Sequence, residues 1–411
     1  MRLIDELKER ELFFATTDEK FGDFLENNKV TFYLGADPTG DSLHVGHLVT
    51  YLVAKRLQNH GHHPILLIGG ATGLIGDPKM QGERKMLDTS ITLKNSLALT
   101  KQVKEIFNFD KIVNNYDWTH KIDVISFLRD YGKEFNVSYM INKDTVKSRL
   151  ESGISYTEFS YQILQALDWN YLYQNEGCNV QIGGQDQWGN MTSGIELIRK
   201  KNGPEAKVFA LTIPLILKSD GTKFGKSEGG KSVWLDRNKT SPYEFYQFWI
   251  NTPDNEVIKR LKQFTFLSLE EIAEIEKSFL NEPHLRLAQK TLAKEITTFV
   301  HGQEAYEQAL RITNALFNGD IKSLSALEIA MGFNELPSVE GKENELLLDA
   351  LIRTSLAQSK REAREFVSGG AITINGQKVD DLSFVLNKEM AIENQFIVLR
   401  RGKKKYGLVR F

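Results

Sequence analysis

The sequence predicts an α/β fold in which a doubly wound, Rossmann-like parallel-sheet domain is followed by a helical domain and a small α+β domain. Up to residue 217, short apolar runs alternate with helical patterns, as buried parallel strands alternate with crossover helices. From residue 241 the helical patterns are long, and paired helices with short strands then complete the chain. These changes predict domains at 1–232, 233–320 and 345–411, joined by a linker at 321–344.

The first strand–helix–strand unit shows the pattern most clearly. Residues 30–35 (VTFYLG) are rich in β-branched and aromatic side chains and lead into the loop ADPTGDS. Ser42 is the predicted N-cap of the next helix, whose apolar spacing ends at Gly61. The run PILLIGG then has the continuous apolar character of a buried parallel strand.

The same alternation predicts the elements that follow. Helices are expected at 93–107, 122–135, 157–173 and 186–201, and strands at 178–183 and 208–217. A long helical pattern covers 283–317 in the second domain. In the third, a helical pair at 346–368 is followed by the turn Gly369-Gly370 and the strand AITIN.

Composition excludes several classes of protein. Hydrophobic residues make up 41% and charged residues 26% of the 411, which argues against a disordered or collagen-like chain. The uncharged run at 64–76 has 13 residues and four glycines, too short and too broken to cross a bilayer. Cys178 is the only cysteine, which excludes an intrachain disulfide and a thiolate zinc cluster. Because the segment MRLIDELKERELFF is amphipathic and lacks an apolar signal core, we expect a cytoplasmic protein.

The formal charge of −2 conceals an uneven distribution. Residues 353–411 carry twelve Lys or Arg against six Asp or Glu, so this end of the chain has a local charge of +6. Such a segment is suited to a polyanion, and a solvated basic tail is the alternative.

The sharpest local feature is PTGDSLHVGH at 38–47, where the first strand passes into a helix. A helix N-terminus presents unpaired N–H groups and a partial positive charge, and glycine lets a ligand approach the backbone. His44 and His47 share one helix face and are suited to donate hydrogen bonds to phosphate oxygens. Surface histidines at a cap are the simpler alternative, and a metal site would lack a third local ligand.

A second feature is KFGKS at 223–227, in a loop with Gly221, Gly229 and Gly230. Two ammonium groups and a hydroxyl on such a loop can close over a polyphosphate and neutralise charge as pyrophosphate leaves. Taken alone, a segment of this kind is more often a solvated basic loop.

Together the two motifs resemble the paired signatures of class I aminoacyl-tRNA synthetases. The strings YLGADPTGDSLHVGH, GGATGLIGDP, YTEFSYQILQALD and IGGQDQWGN are similar, in order and spacing, to those of bacterial-type tyrosyl-tRNA synthetases. SKREAREFVSGGAITINGQKV resembles a small RNA-binding domain shared with a ribosomal small-subunit protein. HVGH and KFGKS differ from the commonest forms, HIGH and KMSKS, at positions the family does not assign to phosphate contact. The resemblance covers nearly the whole chain and implies a ligase that activates L-tyrosine with ATP and transfers it to tRNA.

The resemblance also implies which residues bind tyrosine. Tyr33 and Asp168 match the pair that binds the phenol hydroxyl, although pattern alone would place Tyr33 in the strand core and Asp168 on a helix surface. Asp77, Tyr161 and Gln165 match the groups that hold the ammonium. The spacing i, i+4, i+7 puts three of these on one helix face. The implied tyrosine-binding set is Tyr33, Gly35, Asp77, Tyr161, Gln165, Asp168 and Gln187.

ATP binding and catalysis are implied for the two signature motifs and the end of the strand at 178–183. The implied catalytic set is Thr39, His44, His47, Lys223, Lys226 and Ser227. The implied ATP-binding set is Asp37, His44, His47, Gly184, Asp186 and Lys226, with Gly184 and Asp186 at the ribose. Lys79 and Arg84 lie in a second polar loop and are expected, by analogy with the KFGKS loop, to help bind the triphosphate. Mg²⁺ is expected to accompany ATP, with no metal bound by protein side chains alone.

The implied partners are L-tyrosine, ATP and a cognate tRNA. The family also implies a homodimer, and no association with a membrane is expected. The basic residues expected to contact tRNA are Lys360, Arg361, Arg364, Arg400, Arg401, Lys403, Lys404 and Lys405.

Three alternatives remain open on the sequence. A tryptophanyl-tRNA synthetase shares the architecture and is distinguished by Tyr33 and Asp168. A non-catalytic RNA-binding protein with an inactive synthetase body would not exchange ATP with pyrophosphate. A small nucleotidyltransferase with an HxGH site would not need the helical and C-terminal regions.

Overall fold

The computed structural model describes residues 1–78, 82, 86–218, 221–222, 224–226, 230–334, 336–402 and 405–411. They form two compact units. Unit 1 comprises Met1–Lys239 and Thr252–Leu292, and unit 2 comprises Thr240–Asn251 and Ala293–Phe411. The predicted α/β fold, with a parallel sheet, many helices and a small C-terminal β domain, is confirmed.

Both units contain strands, and helices connect most of them. The strands are β1 Ala15–Thr16, β2 Thr31–Ala36, β3 His63–Ile68, β4 Lys111–Asn114, β5 Cys178–Gly184, β6 Phe209–Ile213, β7 Ser338–Glu340, β8 Glu345–Leu346, β9 Ile372–Ile374, β10 Gln377–Lys378, β11 Val385–Leu386, β12 Phe396–Arg401 and β13 Lys405–Arg410. The helices are α1 Leu3–Glu9, α2 Phe21–Asn27, α3 Val45–Asn59, α4 Thr72–Ile75, α5 Thr89–Phe107, α6 Tyr116–Thr119, α7 Val124–Ser126, α8 Val137–Ile141, α9 Asp144–Lys147, α10 Tyr156–Glu176, α11 Trp188–Asn202, α12 Pro242–Ile250, α13 Asp254–Phe264, α14 Leu269–Asn281, α15 Leu287–His301, α16 Gln303–Asn318, α17 Ala326–Gly332, α18 Leu347–Arg353 and α19 Lys360–Ser368.

Unit 1 is built around a sheet of order β1-β6-β5-β2-β3-β4, in which only β1 pairs antiparallel. Both faces of β2 and β3 are buried, which explains their continuous apolar sequences. The chain leaves β2 for β3 on one side and returns to pair β5 on the other. The carboxyl ends of β2 and β5 therefore flank a topological switch point, where open α/β sheets bind ligands.

The segment 122–135 is helical but irregular. Instead of the single predicted helix it forms the short α7, a π-helical turn at Phe127–Tyr131 and a 3₁₀ turn at Gly132–Glu134. Val124 and Ile125 are about 70% exposed. The contacts of this segment with the core come from Ile122, Phe127 and Tyr131, which are only partly buried, so it lacks the fully buried apolar stripe that favours one regular helix.

Unit 2 includes most of the segment that the sequence suggested as a linker. Ile321, Leu324, Ile329 and Phe333 are buried in one cluster with side chains of β12 and β13. β7 continues the C-terminal sheet, of order β10-β9-β12-β13-β7, by pairing parallel with β13. Glycine and proline in this segment thus punctuate folded structure, and the domain boundaries drawn from the sequence stay a prediction.

Within the part of the chain that the structure describes, no helix is both long and apolar enough to cross a membrane.

Candidate active site

The candidate site lies where β2 and β5 end at the switch point of the sheet. β2 carries Tyr33 and Gly35. β5 ends at Gly184 and is followed by a 3₁₀ turn that holds Asp186 and Gln187. Helix α10 contributes the predicted face with Asp168. Residues far apart in sequence therefore meet at one edge of the sheet.

Asp168 is the most deeply buried acid of the site, with 2% of its surface exposed. Its two carboxylate oxygens each accept a hydrogen bond of 2.8 Å, one from Nε1 of Trp118 and one from Nδ2 of Asn115. Burial raises the pKa of Asp168 to about 7, although both hydrogen bonds favour the charged form. The carboxylate is therefore poised to change its charge near neutral pH.

Tyr33 lies beside this carboxylate, and its hydroxyl is buried without a hydrogen-bond partner in the described structure. Burial and then the charge of Asp168 raise the pKa of Tyr33 well above its ordinary value, so the phenol stays protonated. The side-chain oxygen of Gln165 is likewise buried and unpartnered among the residues described. Unsatisfied buried polar groups are costly, and a polar ligand in this space would satisfy both.

A second acid, Asp37, follows β2 and is held by two hydroxyls. Thr72 donates to Oδ1 at 2.7 Å and Tyr161 donates to Oδ2 at 2.9 Å. Because Tyr161 gives its proton to Asp37, its oxygen faces the site as an acceptor, the role that an ammonium ligand requires. Asn115 joins the two acids, since its Nδ2 also lies 3.0 Å from Oγ1 of Thr72.

Asp77 and Gln187 are brought together as the resemblance implied. Nε2 of Gln187 donates to Asp77 at 2.8 Å, and Nδ2 of Asn190 donates to the other oxygen at 3.1 Å. Gln187 also lies 3.1 Å from Asp186, which is exposed at the start of the turn. A Cβ on Gly184 would lie 2.4 Å from Oδ1 of Asp186, so a larger residue there would displace this carboxylate. At Gly35 a Cβ would meet nothing within 4 Å, so only an incoming ligand would require glycine there.

The HVGH motif begins helix α3 in a way that corrects the predicted cap. His44, not Ser42, is the N-cap: its Nδ1 accepts the N–H of Gly46 at 3.0 Å. Ser42 lies two residues too early and is buried, with its hydroxyl turned to the backbone oxygen of Leu43. With Nδ1 accepting, the neutral ring carries its proton on Nε2, which is then the donor available to a ligand.

The two imidazoles stack with ring centroids 3.8 Å apart. Burial lowers the pKa of His44. In His47, which keeps an exposed surface, desolvation of the ring and the neighbouring His44 lower the pKa. Both rings are therefore neutral hydrogen-bond donors at pH 7 rather than fixed cations. Thr39 is exposed nearby, with its N–H bonded to the backbone oxygen of Asp37 at 2.8 Å.

The structure brings HVGH and KFGKS into direct backbone contact. A Cβ on Gly225 would lie 2.8 Å from the backbone nitrogen of Gly46, and Gly225 has a φ of +98°. The chain that follows KFGKS is bonded to the start of α3 as well, since the backbone N–H of Val45 donates to the backbone oxygen of Val233 at 2.9 Å. Lys226 is exposed beside this contact. Lys223, Ser227, Lys79 and Arg84 lie outside the described residues.

Sequence reasoning missed Thr72, Asn115, Trp118 and Asn190. Thr72 and Asn190 lie inside strings already matched to the family, GGATGLIGDP and IGGQDQWGN, so those strings contained a usable signal. Asn115 precedes the four-residue helix α6 and Trp118 lies within it. Their sequence has no pattern that connects them to a carboxylate on α10.

The basic residues predicted to contact tRNA divide into exposed and structural groups. Lys360, Arg361, Arg364 and Lys405 are exposed, although Lys360 pairs with Asp349 at 2.8 Å and Arg361 with Glu365 at 3.3 Å. Arg401 instead donates to the oxygen of Leu356 at 2.6 Å and stacks on Phe366. Nε of Arg400 is buried with no partner in the described part of unit 2. Lys403 and Lys404 lie outside the described residues.

Comparisons with known proteins agree with this geometry. A family model described as "tRNA synthetases class I (W and Y)" matches residues 25–318, and one described as "Tyrosine--tRNA ligase SYY-like C-terminal domain" matches residues 328–409. The chain is 54% identical over 419 residues to a tyrosine--tRNA ligase of Listeria monocytogenes, with 100% of both chains covered. It is 54% identical over 418 residues to tyrosine--tRNA ligase 2 of Bacillus cereus, with the same coverage. A C-terminally truncated mitochondrial tyrosyl-tRNA synthetase of Aspergillus nidulans superposes with a TM-score of 0.69 at 31% identity, covering 77% of this chain and 94% of that one.

Proposed function

The chain belongs to the class I tRNA synthetases and, within them, to the tyrosine--tRNA ligases, and from this membership we propose how its own residues select tyrosine, activate it and transfer it to tRNA. In the first step a tyrosine carboxylate oxygen bonds to the α-phosphorus of ATP as the bond to pyrophosphate breaks. In the second, a terminal ribose hydroxyl of tRNA takes the tyrosyl group and AMP leaves.

The observation that carries the proposal is the pair formed by Asp168 and Tyr33. The substrate phenol donates to Asp168, whose geometry is held by Trp118 and Asn115. The buried hydroxyl of Tyr33 bonds the phenol oxygen and gains the partner it otherwise lacks in the described structure. Phenylalanine would leave the Tyr33 hydroxyl without a partner, at a cost of roughly 1–3 kcal/mol, and would deprive Asp168 of its third hydrogen bond.

The substrate ammonium is proposed to lie among Asp77, the oxygen of Tyr161 and the oxygen of Gln165. Asp77 is oriented by Gln187 and Asn190, and Tyr161 by Asp37, so the acceptors are in place before the substrate arrives. Gln187 lies between this group and Asp186, which we assign to the ribose with Gly184. Tyrosine and ATP are thereby aligned across the switch point.

Catalysis is proposed to depend on positioning and charge stabilisation, with no covalent enzyme intermediate. The Nε2–H groups of His44 and His47 and the hydroxyl of Thr39 bind phosphate oxygens. Lys226, with Lys223 and Ser227, stabilises the charge that moves onto pyrophosphate. The contact between Gly46 and Gly225 fixes the distance between the two motifs, so that both can reach the same substrate.

Mg²⁺ is proposed to enter with ATP rather than to occupy a site built from protein ligands. Across the described residues, no group of three or more His, Cys, Asp or Glu side chains is arranged to hold a metal ion. The phosphates and water would then supply most of its ligands, and its charge would offset that of the triphosphate.

The test is ATP–pyrophosphate exchange with tyrosine, tryptophan and phenylalanine as separate substrates. We expect exchange with tyrosine alone, and its loss in Asp168→Ala. Tyr33→Phe should weaken tyrosine binding, whereas Tyr51→Phe, which removes another buried hydroxyl unpartnered in the described structure, should not. Preferential exchange with tryptophan, or equal effects of the two tyrosine variants, would contradict the proposed pocket.

For tRNA we propose the exposed basic face of α19, with Arg361 and Arg364, together with Lys405. Replacing both arginines by alanine should weaken tRNA binding and reduce its salt dependence by about 0.7–0.9 log units per lost contact. Lys388→Ala, a change of one exposed lysine in the same unit, is the control. Tyrosine activation should be unchanged, and an unchanged salt slope would leave the solvated basic surface as the explanation.

A homodimer is proposed for unit 1 on the basis of its exposed apolar side chains. Between residues 116 and 156, large apolar side chains at least 43% exposed are Tyr116, Val124, Ile125, Leu128, Val137, Tyr139, Leu150 and Tyr156. Exposed apolar side chains concentrated in one segment of the chain are what a protein interface would cover. Sedimentation should give twice the monomer mass, and Ile125→Asp should reduce the measured mass.

The proposed location is the cytoplasm, as the sequence suggested.

A further inference from the structure

Helix α13 contains a buried arginine that none of the sequence motifs indicated. Arg260 is 1% exposed and pairs with Oε2 of Glu256 at 2.6 Å, one turn earlier on the same helix. It also donates to Oε1 of Gln263 at 3.0 Å. A buried guanidinium is costly unless its donors are paired, and these two partners use only part of its fork.

The remaining contacts of Arg260 reach the chain just before the KFGKS motif and the start of the motif itself. Its NH2 group donates to the backbone oxygen of Leu217, which precedes the motif, at 2.6 Å. Its Cζ lies 4.4 Å from the ring centroid of Phe224, the second residue of the motif. These two segments are also paired, since Phe224 N–H donates to the oxygen of Ile216 at 3.2 Å. One side chain therefore holds the start of the motif at two points.

Phe224 connects this anchor to the HVGH motif. A Cβ on Gly46 would lie 3.5 Å from the backbone oxygen of Phe224, and a Cβ on Gly225 would lie 2.8 Å from the nitrogen of Gly46. With so little space between the two backbones, a shift of Phe224 must move Gly225 relative to the first turn of α3. That turn contains His44 and His47.

The end of α13 is also docked to the helix that carries HVGH. Arg56 of α3 donates to the backbone oxygen of Thr265, the residue that follows α13, and its Cζ lies 4.7 Å from the ring centroid of Phe266. Helix α13 thus contacts α3 through one arginine and the KFGKS loop through another. It is placed to fix the distance between the two motifs.

From these contacts we propose that Arg260 is a positioning residue for the activation of tyrosine, holding the KFGKS loop where Lys226 and His44 reach the same triphosphate. This inference rests on the proposed function. Arg260 acts through Leu217 and Phe224 and does not itself touch the substrates. Its removal should therefore affect ATP and the rate of activation rather than tyrosine.

The test is Arg260→Lys. Lysine keeps the charge beside Glu256, but an ammonium cannot pair with Glu256, bond the oxygen of Leu217 and stack flat on Phe224 together. We expect kcat of ATP–pyrophosphate exchange to fall about tenfold, since small displacements of positioned groups have effects of this size or larger. KM for ATP should rise, while the dissociation constant for tyrosine stays within about twofold of the parent.

Arg10→Lys is the matched control for a general loss of stability. Arg10 is 3% exposed, pairs with Glu6 at 2.7 Å and donates to the backbone oxygens of Lys262 and Leu267 at 3.1 and 2.6 Å. It packs on the end of the same helix but makes none of the loop contacts described for Arg260. Similar losses of Tm in the two variants, with slower exchange only in Arg260→Lys, would support positioning. Equal exchange rates in the two variants, or a parallel loss of tyrosine binding, would overturn it.

A double-mutant cycle separates this proposal from the function on which it rests. If Arg260 acts through Phe224, the effects of Arg260→Lys and Phe224→Leu on kcat should be clearly less than additive. Additive effects would contradict that route. A parent protein that does not exchange ATP with any amino acid would instead refute the proposed function, which is a distinguishable result.

Discussion

Tyrosine binding should strengthen as the pH rises from 6 to 8, because the carboxylate that receives the phenol titrates in this range. Burial raises the pKa of Asp168 to about 7. With Trp118 and Asn115 each donating to one of its oxygens, the ionised form is the one that accepts a third hydrogen from the substrate. A pKa of 7 makes about 9% of Asp168 ionised at pH 6 and about 91% at pH 8. The tyrosine dissociation constant should therefore fall about tenfold, or about 1.4 kcal/mol.

Other groups of the site should not obscure this dependence. The pKa values of Tyr33 and Tyr161 are raised well above their ordinary value, so both phenols stay neutral across the range, and the lowered pKa values of His44 and His47 disfavour protonation of either ring. The assay is equilibrium binding of tyrosine by calorimetry at pH 6, 7 and 8. Asp168→Asn, which cannot titrate, should bind weakly with no such trend. A parent whose affinity is constant from pH 6 to pH 8 would refute the assignment of Asp168 as the phenol acceptor.

Further predictions concern the neighbours of Asp168 and the contact between the two motifs. Trp118→Phe removes a 2.8 Å donor from Asp168, so the pKa of Asp168 should rise further. Tyrosine should then bind about tenfold to a hundredfold more weakly, as measured by calorimetry. Unchanged affinity would contradict this role of Trp118. The folded state holds the Asp168 proton up to about pH 7 and the unfolded chain loses it near pH 4, so the free energy of unfolding should fall as pH rises between these values, by at most about 4 kcal/mol. Between pH 5 and 7.5, urea unfolding should show about 2.5 kcal/mol of this fall in the parent and not in Asp168→Asn. An equal fall in both would assign it to other groups. Gly225→Ala should slow exchange roughly a hundredfold, because its Cβ would meet the backbone of Gly46 at 2.8 Å. Gly221→Ala should have a far smaller effect, because Gly221 also has a positive φ but has open space around it. Similar effects of the two changes would mean that backbone strain, and not the contact with Gly46, slows exchange.

Local pattern was enough to predict the class of fold and the strand ends at which the candidate site lies. Strands with both faces buried must be apolar throughout, so β2 and β3 were visible as continuous runs next to helical periodicity. Glycines and short polar residues at the ends of those strands indicated the loops of the site. The helix face with Tyr161, Gln165 and Asp168 followed from spacing alone, but its assignment to a pocket needed the resemblance to known synthetases.

Charge along the chain was a weaker guide to binding surfaces. Twelve basic residues in the last segment predicted a face for a polyanion. In the structure, Arg401 is turned inward to the backbone oxygen of Leu356 and Nε of Arg400 is buried. Sequence shows that a residue is charged, whereas the packing of β12 against its neighbours decides whether that charge reaches solvent.

By itself, the sequence determined the order of the main strands and helices and the motifs at their ends, because periodicity reports burial within one element, but it did not determine the irregular segment 122–135. Only the tertiary structure decided that His44 caps α3, that Trp118 and Asn115 hold Asp168, and that Arg260 holds the KFGKS loop. Each of these depends on a hydrogen bond or stacking contact whose geometry no periodicity records, and most join elements far apart in the chain. A side chain's partners are set by the packing of whole elements against one another, and that packing decides which groups, such as Asp168, are held in place and shifted in pKa.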